Sequence, residues 1–476
     1  MIPHRSCLRS PAPVRAGLVV ACIALCIALS ACDGGAERDA GVSTVDREEA
    51  GARLAVVEPA AACAALAAFD LTAIGGDGSR VESAASGTHQ NVPVCEIHGM
   101  LAPEIGFELV LPTETWTQRY LQVGCGGLCG RISLNAGAAD GCMPLETGQF
   151  AVASTDMGHE GPSGDFGRDP QKRIDYAYRG VHLTAVAAKA LIAEFYGRPA
   201  AYSYFSGCSD GGREALMEAQ RFPDDFDGIV AGAPAMNVQV QNSFYHAWQA
   251  LSNTGDDGAP ILVADRLAIL HDAAVAACDE IDGLKDGLIT DPRSCEFDPV
   301  SVECPDGRAA GGCLSAAEAE AARRLYAGPR DAETGLPLTL GGPQPGSELT
   351  WAGVFVPRQR EDRIFSATIA LDALRNVIFE ENPPDDYALD DLGFDSETFD
   401  AVKALHGLYA ATDPDLGEFA SAGGKLILWH GWSDPHISPI NTIAYYEAVE
   451  ALLGADRTTS MVRLFLFPGV GHCRGG

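Results

Sequence analysis

Ala201 to Phe205 is a mostly apolar run of strand length, and Ser206-Gly207-Cys208-Ser209-Asp210-Gly211-Gly212 follows it. Arg213 to Gln220 is then a helix-forming run built on Glu214, Ala215, Leu216, Met217 and Glu218. A strand that turns sharply into a helix through Gly-x-Ser-x-Gly leaves few folds open to the chain. The flanking glycines let the backbone take a strained turn that lifts Ser209 clear of a sheet, where its hydroxyl can act as a nucleophile. The pentapeptide alone is equally the mark of an ordinary turn serine. Its weight depends on whether a base, an acid and an oxyanion hole exist elsewhere.

Upstream, Arg119 to Val123 reads as a strand that runs into the glycine-rich Gly124-Cys125-Gly126-Gly127-Leu128-Cys129-Gly130. Phe150 to Ser154 reads as another, ending at Thr155-Asp156-Met157-Gly158-His159. His159 is taken as a polar loop residue rather than a base. Arg179 to Tyr196 is a helix with Val181, Ala185, Ala188, Leu191, Ile192 and Phe195 on one side, stopped by Gly197-Arg198-Pro199. Phe226 to Ala231 adds a strand. This β-α-β-elbow-α-β order predicts an α/β protein, a parallel sheet with helices on both faces. From 236 to 424 the alternation stops. Helical stretches, long Gly/Pro loops and acidic clusters take over, as in an inserted lid domain. The sheet resumes at Lys425 to Trp429 and at Val462 to Phe467. The predicted layout is a core of 59–235 and 425–476 around a lid of 236–424.

Each resumed strand ends in a loop suited to catalysis: His430-Gly431-Trp432-Ser433-Asp434-Pro435 and Pro468-Gly469-Val470-Gly471-His472-Cys473. Ser209, Asp434 and His472 follow in the α/β-hydrolase order. His472 has the pKa range of a general base for Ser209, and Asp434 would fix its tautomer and stabilise the imidazolium. The N–H of Asp210 and that of Gly126 or Gly127 are the predicted oxyanion donors. Cys208 precedes the nucleophile and Cys473 follows the base. If Ser209 and His472 meet, the neighbouring cysteines fall within disulfide reach, and a bridge would staple the two turns together.

The net charge of -32 argues against nucleic acid and anionic lipid as partners. It favours a neutral or weakly charged substrate, or a local basic patch for an anionic one. Residues 1–32 read as a signal peptide. Arg5, Arg9 and Arg15 precede an apolar stretch too short to span a membrane, and Leu29-Ser30-Ala31-Cys32 resembles a lipobox. A lipidated Cys32 at the end of a flexible 33–58 tether is the one membrane contact expected. The protein is then exported, as an envelope lipoprotein or into the periplasm or medium, where disulfides persist. Eleven cysteines lie beyond residue 32. Cys63–Cys95, Cys278–Cys295 and Cys304–Cys313 are expected pairs. Of Cys125, Cys129 and Cys142 two are expected to join, with Cys129–Cys142 the pair chosen.

Taken together, Gly207 to Glu214, Phe226 to Pro234, His430 to Asp434 and Gly471-His472-Cys473 resemble the tannase and feruloyl esterase family, which also holds the mono(2-hydroxyethyl) terephthalate hydrolases. The resemblance runs from about Pro59 to the end. It implies an α/β-hydrolase core with a large lid, esterase activity on a small aromatic ester, and again the Cys208–Cys473 bridge. It also bears on Cys278 to Leu288, whose spaced aspartates and glycines fit either a calcium loop or an acidic surface loop. The resemblance implies structural calcium held by Asp279, Asp282 and Asp286 and by the carbonyls of Leu284 and Leu288. Relatives of this type usually continue into a further helix beyond the position of Cys473; either the sequence is truncated there or that helix is absent, and without it a sheet face near His472 is expected to lie open. Esters of ferulate or gallate are the expected substrates, with the lid aromatics Trp351, Phe355, Phe365 and Phe379 available to stack on a ring or to fill the lid core. A terephthalate monoester is the alternative, held by Arg358, Arg360 or Arg363 if these are more than solvated surface. An acyltransferase on the same triad and a catalytically silent envelope protein that binds ligands are the other readings.

Overall fold

The computed structural model describes residues 54–137, 142–309 and 311–476. The signal peptide, Cys32 and most of the tether lie outside the described residues.

Nine strands form one sheet: β1 (Arg80–His89), β2 (Val92–Leu101), β3 (Ile105–Pro112), β4 (Arg119–Val123), β5 (Phe150–Thr155), β6 (Tyr202–Cys208), β7 (Gly228–Gly232), β8 (Lys425–Gly431) and β9 (Val462–Phe467). Their order across it is β1-β2-β3-β5-β4-β6-β7-β8-β9. From β5 through β4 to β9 every neighbour is parallel, as the strand-helix alternation requires. The first three strands are an antiparallel arm joined to β5 by β3. The sequence reading had no strands there, although β2 alternates buried and less buried positions from Cys95 to Leu101 and β3 does so from Ile105 to Leu109; β1, with Val81 its one buried residue, and the end of β3, buried on both faces, lack that signal. A second signal is the two-residue turn at Gln90 and Asn91, with φ of 47° and 66°, the primed hairpin geometry.

Six α-helices of nine residues or more stand among the described residues: α1 (Gly180–Tyr196), α2 (Asp210–Arg221), α3 (Leu267–Cys278), α4 (Ala316–Ala327), α5 (Phe365–Ala373) and α6 (Pro439–Leu453). Helix α1 buries Val181, Ala185, Ala188, Leu191, Ile192 and Phe195 in the main core and ends on Gly197 in the left-handed region. Helix α2, which follows the nucleophile turn, is buried from Asp210 to Ala219. Burial on this scale makes α2 a rigid base for whatever its first turn carries.

Between β7 and β8 the chain builds two apolar clusters of its own. One gathers Leu267, Leu270, Ala322, Leu325, Trp351 and Phe355, and the other Phe244, Ala370, Ala373, Leu374 and Ile378. Trp351 and Phe355 are thus lid core, and Phe379 packs against the second cluster. Phe365 stays exposed. Arg360 pairs with exposed Asp257 at 3.2 Å. Residues 54–476 make one compact unit. Ile427 on β8 and Phe465 and Phe467 on β9 are exposed on the sheet, next to the end of the chain that carries His472.

Candidate active site

Ser209 sits at φ 66° and ψ -120°, a strained conformation for a residue with a side chain. The surroundings over-determine it. Its N–H donates to Gly232 O at 3.0 Å, and its carbonyl accepts from Arg213 N at 3.1 Å and Ala235 N at 2.9 Å. The turn is too tight for side chains beside it. A Cβ on Gly207 would lie 2.3 Å from Gly211 O, and one on Gly211 would lie 2.9 Å from Cys125 O. The second contact shows why the glycines matter for function: the elbow packs directly on the loop that follows β4.

Asp210 opens α2, and its carboxylate is locked. Arg213 reaches it through Nε at 2.6 Å and Nη2 at 3.0 Å, and Tyr176 donates its hydroxyl at 2.9 Å. That clamp orients the first turn of α2, including the Asp210 N–H. Glu214, one turn on, accepts the Cys125 N–H at 3.3 Å. Burial, and then the charge of Asp210, push the Glu214 carboxyl well up.

The loop itself is closed by a Cys125–Cys129 disulfide, with Cα atoms 5.3 Å apart, and Cys142 is free. This corrects the expected Cys129–Cys142 pair. Gly127 and Cys129 take φ of 70° and 63°, and that Gly-Gly-Leu turn folds the loop back on itself. The Cys129 N–H donates to Gly126 O at 3.2 Å across the turn. His159, a loop residue as expected, braces the same loop: its Nε2 donates to Leu128 O at 2.8 Å. The other four bridges are Cys63–Cys95, Cys208–Cys473, Cys278–Cys295 and Cys304–Cys313.

Asp434, at the end of β8, is fully buried. Its Oδ2 accepts from His472 Nδ1 at 2.7 Å and His430 Nε2 at 3.0 Å, and its Oδ1 from the N–H groups of His436 at 2.8 Å and Ile437 at 3.0 Å. Burial alone would raise its pKa. The charge of His472 and the two imidazole hydrogen bonds outweigh that and hold the carboxyl well below the usual range. His430 was missed in the sequence, where only its place four residues before Asp434 could have marked it. Its Nδ1 accepts from Thr442 Oγ1 at 2.8 Å, which fixes its Nε2–H toward Asp434. With Nδ1–H committed to Asp434, His472 keeps Nε2 for the cavity.

Ser209 and His472 border the same two cavities, as do Gly126 and Gly127. The Cys208–Cys473 bridge joins their neighbours, with Cα atoms 5.9 Å apart. Among the described residues Ser209 Oγ makes no hydrogen bond; such contacts are often long in a ligand-free site and tighten around substrate. One cavity, of about 890 Å³, runs under the lid between Leu128, Val238, Ile437 and the α5 side chains Phe365, Thr368, Ile369 and Asp372. The other, also about 890 Å³, opens past Ser133, Asn135, Thr350 and Arg474. Of the four lid aromatics, Phe365 is the one that reaches either cavity, and Arg358, Arg360 and Arg363 border neither. His436 does, with its ring 4.8 Å from that of His472.

A profile of "Tannase and feruloyl esterase" matches residues 89–476. The chain belongs to the tannase and feruloyl esterase family. An uncharacterized esterase of Xanthomonas campestris is 34% identical over 80% of this chain and 69% of its own. The mono(2-hydroxyethyl) terephthalate hydrolase of Piscinibacter sakaiensis is 32% identical over 80% of this chain and 73% of its own. The crystal structure of feruloyl esterase B from Aspergillus oryzae superposes with a TM-score of 0.74 at 26% identity, covering 87% of this chain and 84% of that one. This member of the family therefore has the α/β-hydrolase fold and is a carboxylic ester hydrolase. The five disulfides among the described residues fit an exported protein.

The acidic loop of this family member borders neither cavity at Ser209, although its Leu288 packs against Gly469 of the loop that carries His472. Asp279 Oδ1 accepts from Gly287 N at 3.0 Å, Asp282 Oδ1 from Leu284 N at 2.9 Å and Asp286 Oδ1 from Leu288 N at 3.1 Å. These three carboxylates are not among the groups whose ligand atoms converge within 4.8 Å. The donor chemistry still suits a hard cation: the carbonyls of Leu284 and Leu288 accept no hydrogen bond among the described residues, and Cys278–Cys295 closes the loop.

His436 yields a prediction. Burial, and then the charge of His472, push its imidazole down to about 4. The unfolded chain protonates the same ring near 6.5, so between those values the unfolded state binds more protons and stability falls as pH falls. From pH 6.5 to 4 the wild-type protein is expected to lose roughly 3 kcal/mol more than His436→Gln does. Urea melts of both proteins at the two pH values check this, and equal losses would refute it.

Proposed function

We propose that this protein hydrolyses esters of hydroxylated aromatic acids such as ferulate or gallate, with Ser209 as nucleophile, His472 as general base and Asp434 as its orienting acid. The observation that carries the reading is the Asp434–His472 hydrogen bond of 2.7 Å, set beside a strained serine at the meeting point of two cavities. The apolar lining under the lid suits the aromatic acyl group and the more open, polar cavity suits the alcohol. Both relatives with named substrates act on esters of aromatic acids, as their names state.

In this mechanism Ser209 Oγ attacks the ester carbonyl as His472 Nε2 takes its proton. The N–H of Asp210, held by the Arg213 clamp, and that of Gly126 or Gly127 stabilise the oxyanion, each donor contributing ~3 kcal/mol in the transition state. The alcohol leaves with the proton from His472. Water, deprotonated by the same imidazole, then cleaves the acyl-enzyme and frees Ser209. Asp434 stays ionised throughout and stabilises the imidazolium.

A fluorophosphonate should label Ser209. Ser209→Ala should lose the label and reduce p-nitrophenyl ester hydrolysis by about 10⁴-fold or more. A variant that keeps its turnover would reject the assignment, and a wild-type protein that takes no label would favour a silent binding protein.

We also propose that the 279–288 loop binds calcium for lid stability, with Asp279, Asp282, Asp286 and the carbonyls of Leu284 and Leu288 as ligands. Chelation with EDTA should lower the melting temperature by ~3 °C or more and calcium should restore it. A melting curve that excess EDTA leaves in place would exclude the role.

A further inference from the structure

The two cavities that meet at Ser209 differ in charge. Under the lid, Phe365 stands at the triad end of α5, its ring 6.4 Å from that of His436. Asp372 lies seven residues further along the same face, roughly 10 Å down the cavity at the helical rise. The Asp372 carboxylate is held by Gly164 N at 2.8 Å and Asn376 Nδ2 at 3.0 Å, and each oxygen keeps a lone pair for a further donor. The opposite cavity is lined by Arg131 and Arg474, and by no Asp or Glu among the described residues. Neither guanidinium has a hydrogen-bond or ion-pair partner among the described residues. Arg131 stands at the junction and borders both cavities, whereas Arg474 and Asp372 each border one. In a chain of net charge -32, two exposed cations with no partner among the described residues, on a cavity that Ser209 also borders, run against the field of the whole molecule.

We propose that Arg131 and Arg474 form a binding site for an anionic group on the alcohol half of the ester. The substrate class is then an ester joining a hydroxylated aromatic acid to an alcohol that bears a carboxylate. This rests on the esterase reading above and gives it a direction. A guanidinium takes a carboxylate through paired N–H donors. At the other end Asp372 accepts a hydrogen bond from a phenolic hydroxyl and repels an anion on the acyl ring. A terephthalate monoester would set its free carboxylate against Asp372, so the same asymmetry disfavours it.

Two matched substrate pairs test this. The feruloyl ester of 3-hydroxypropanoate is compared with that of 3-hydroxypropanamide, which differs only in charge on the alcohol. Monomethyl terephthalate is compared with methyl 4-carbamoylbenzoate, which differs only in charge on the acyl ring. The acidic alcohol should raise kcat/KM about fivefold over its amide, and ~1 M salt should erase the difference. Arg131→Gln with Arg474→Gln should bring that ratio to about one. In the second pair the amide should be preferred, and Asp372→Asn should remove the preference. Amide and acid cleaved alike by the wild type, or a ratio that neither salt nor the double substitution moves, would overturn the site while leaving the esterase reading intact. Hydrolysis of none of the four esters would defeat both.

Discussion

The buried carboxylate of Asp434 is the interaction on which the active site depends. A charge out of reach of water persists only when its lone pairs are filled, and four donors fill these. Two of the donors are backbone N–H groups of its own loop, so the loop is folded around the charge. A third is His430, which lies on β8 and ties the carboxylate to the sheet. The fourth is His472. Its imidazole is therefore placed by a carboxylate that is itself held from both sides. Removing any one donor would leave an unmet charge in the core, which costs more than the hydrogen bond itself contributes.

The remaining parts arrive by topology. The loops after β4, β6, β8 and β9 all leave the same end of parallel strands, and β4 and β6 are direct neighbours. The glycine-rich loop after β4 and the Ser209 turn are thus packed backbone to backbone, with glycine at 124 and 211 because nothing larger fits between them. His472 comes from the far side of the sheet, two strands beyond β7. The link between Cys208 and Cys473 spans 265 residues and fastens that distant loop to the elbow. Covalent and electrostatic constraints converge on the same pair of turns.

This geometry explains what could be read from the sequence. Ser209, Asp434 and His472 were legible because each stands where an apolar strand gives way to a Gly- or Pro-marked loop, a one-dimensional signal. The parallel half of the sheet was legible for the same reason. The antiparallel arm went unread although β2 alternates from Cys95 to Leu101, because its first strand buries a single residue and the end of β3 is buried on both faces. His430 and His436 flank Asp434 and look like ordinary loop histidines until the loop closes on them. The partner of Cys129 was unreadable because its choice depends on a turn with positive φ at Gly127 and Cys129, and chain spacing does not report backbone angles. Trp351 and Phe365 are both lid aromatics, yet one is core and the other faces the cavity. Nothing local separates them.

Catalysis and selection are divided between two parts of the chain. Every group that touches the reacting carbonyl in the proposed mechanism lies on the core loops, while much of the acyl cavity is one face of α5. That helix turns Phe365, Thr368, Ile369 and Asp372 to the cavity and Ala370 and Ala373 to the apolar cluster behind it. The positions i, i+3, i+4 and i+7 form a single stripe. Residues on that stripe can change without disturbing either the lid core or the triad, because they contribute to neither. Such a division lets one catalytic frame serve acyl groups of different size and charge. On the proposed reading, specificity then lies in the lid face of α5 and in Arg131 and Arg474 of the other cavity, rather than in the Ser-His-Asp geometry.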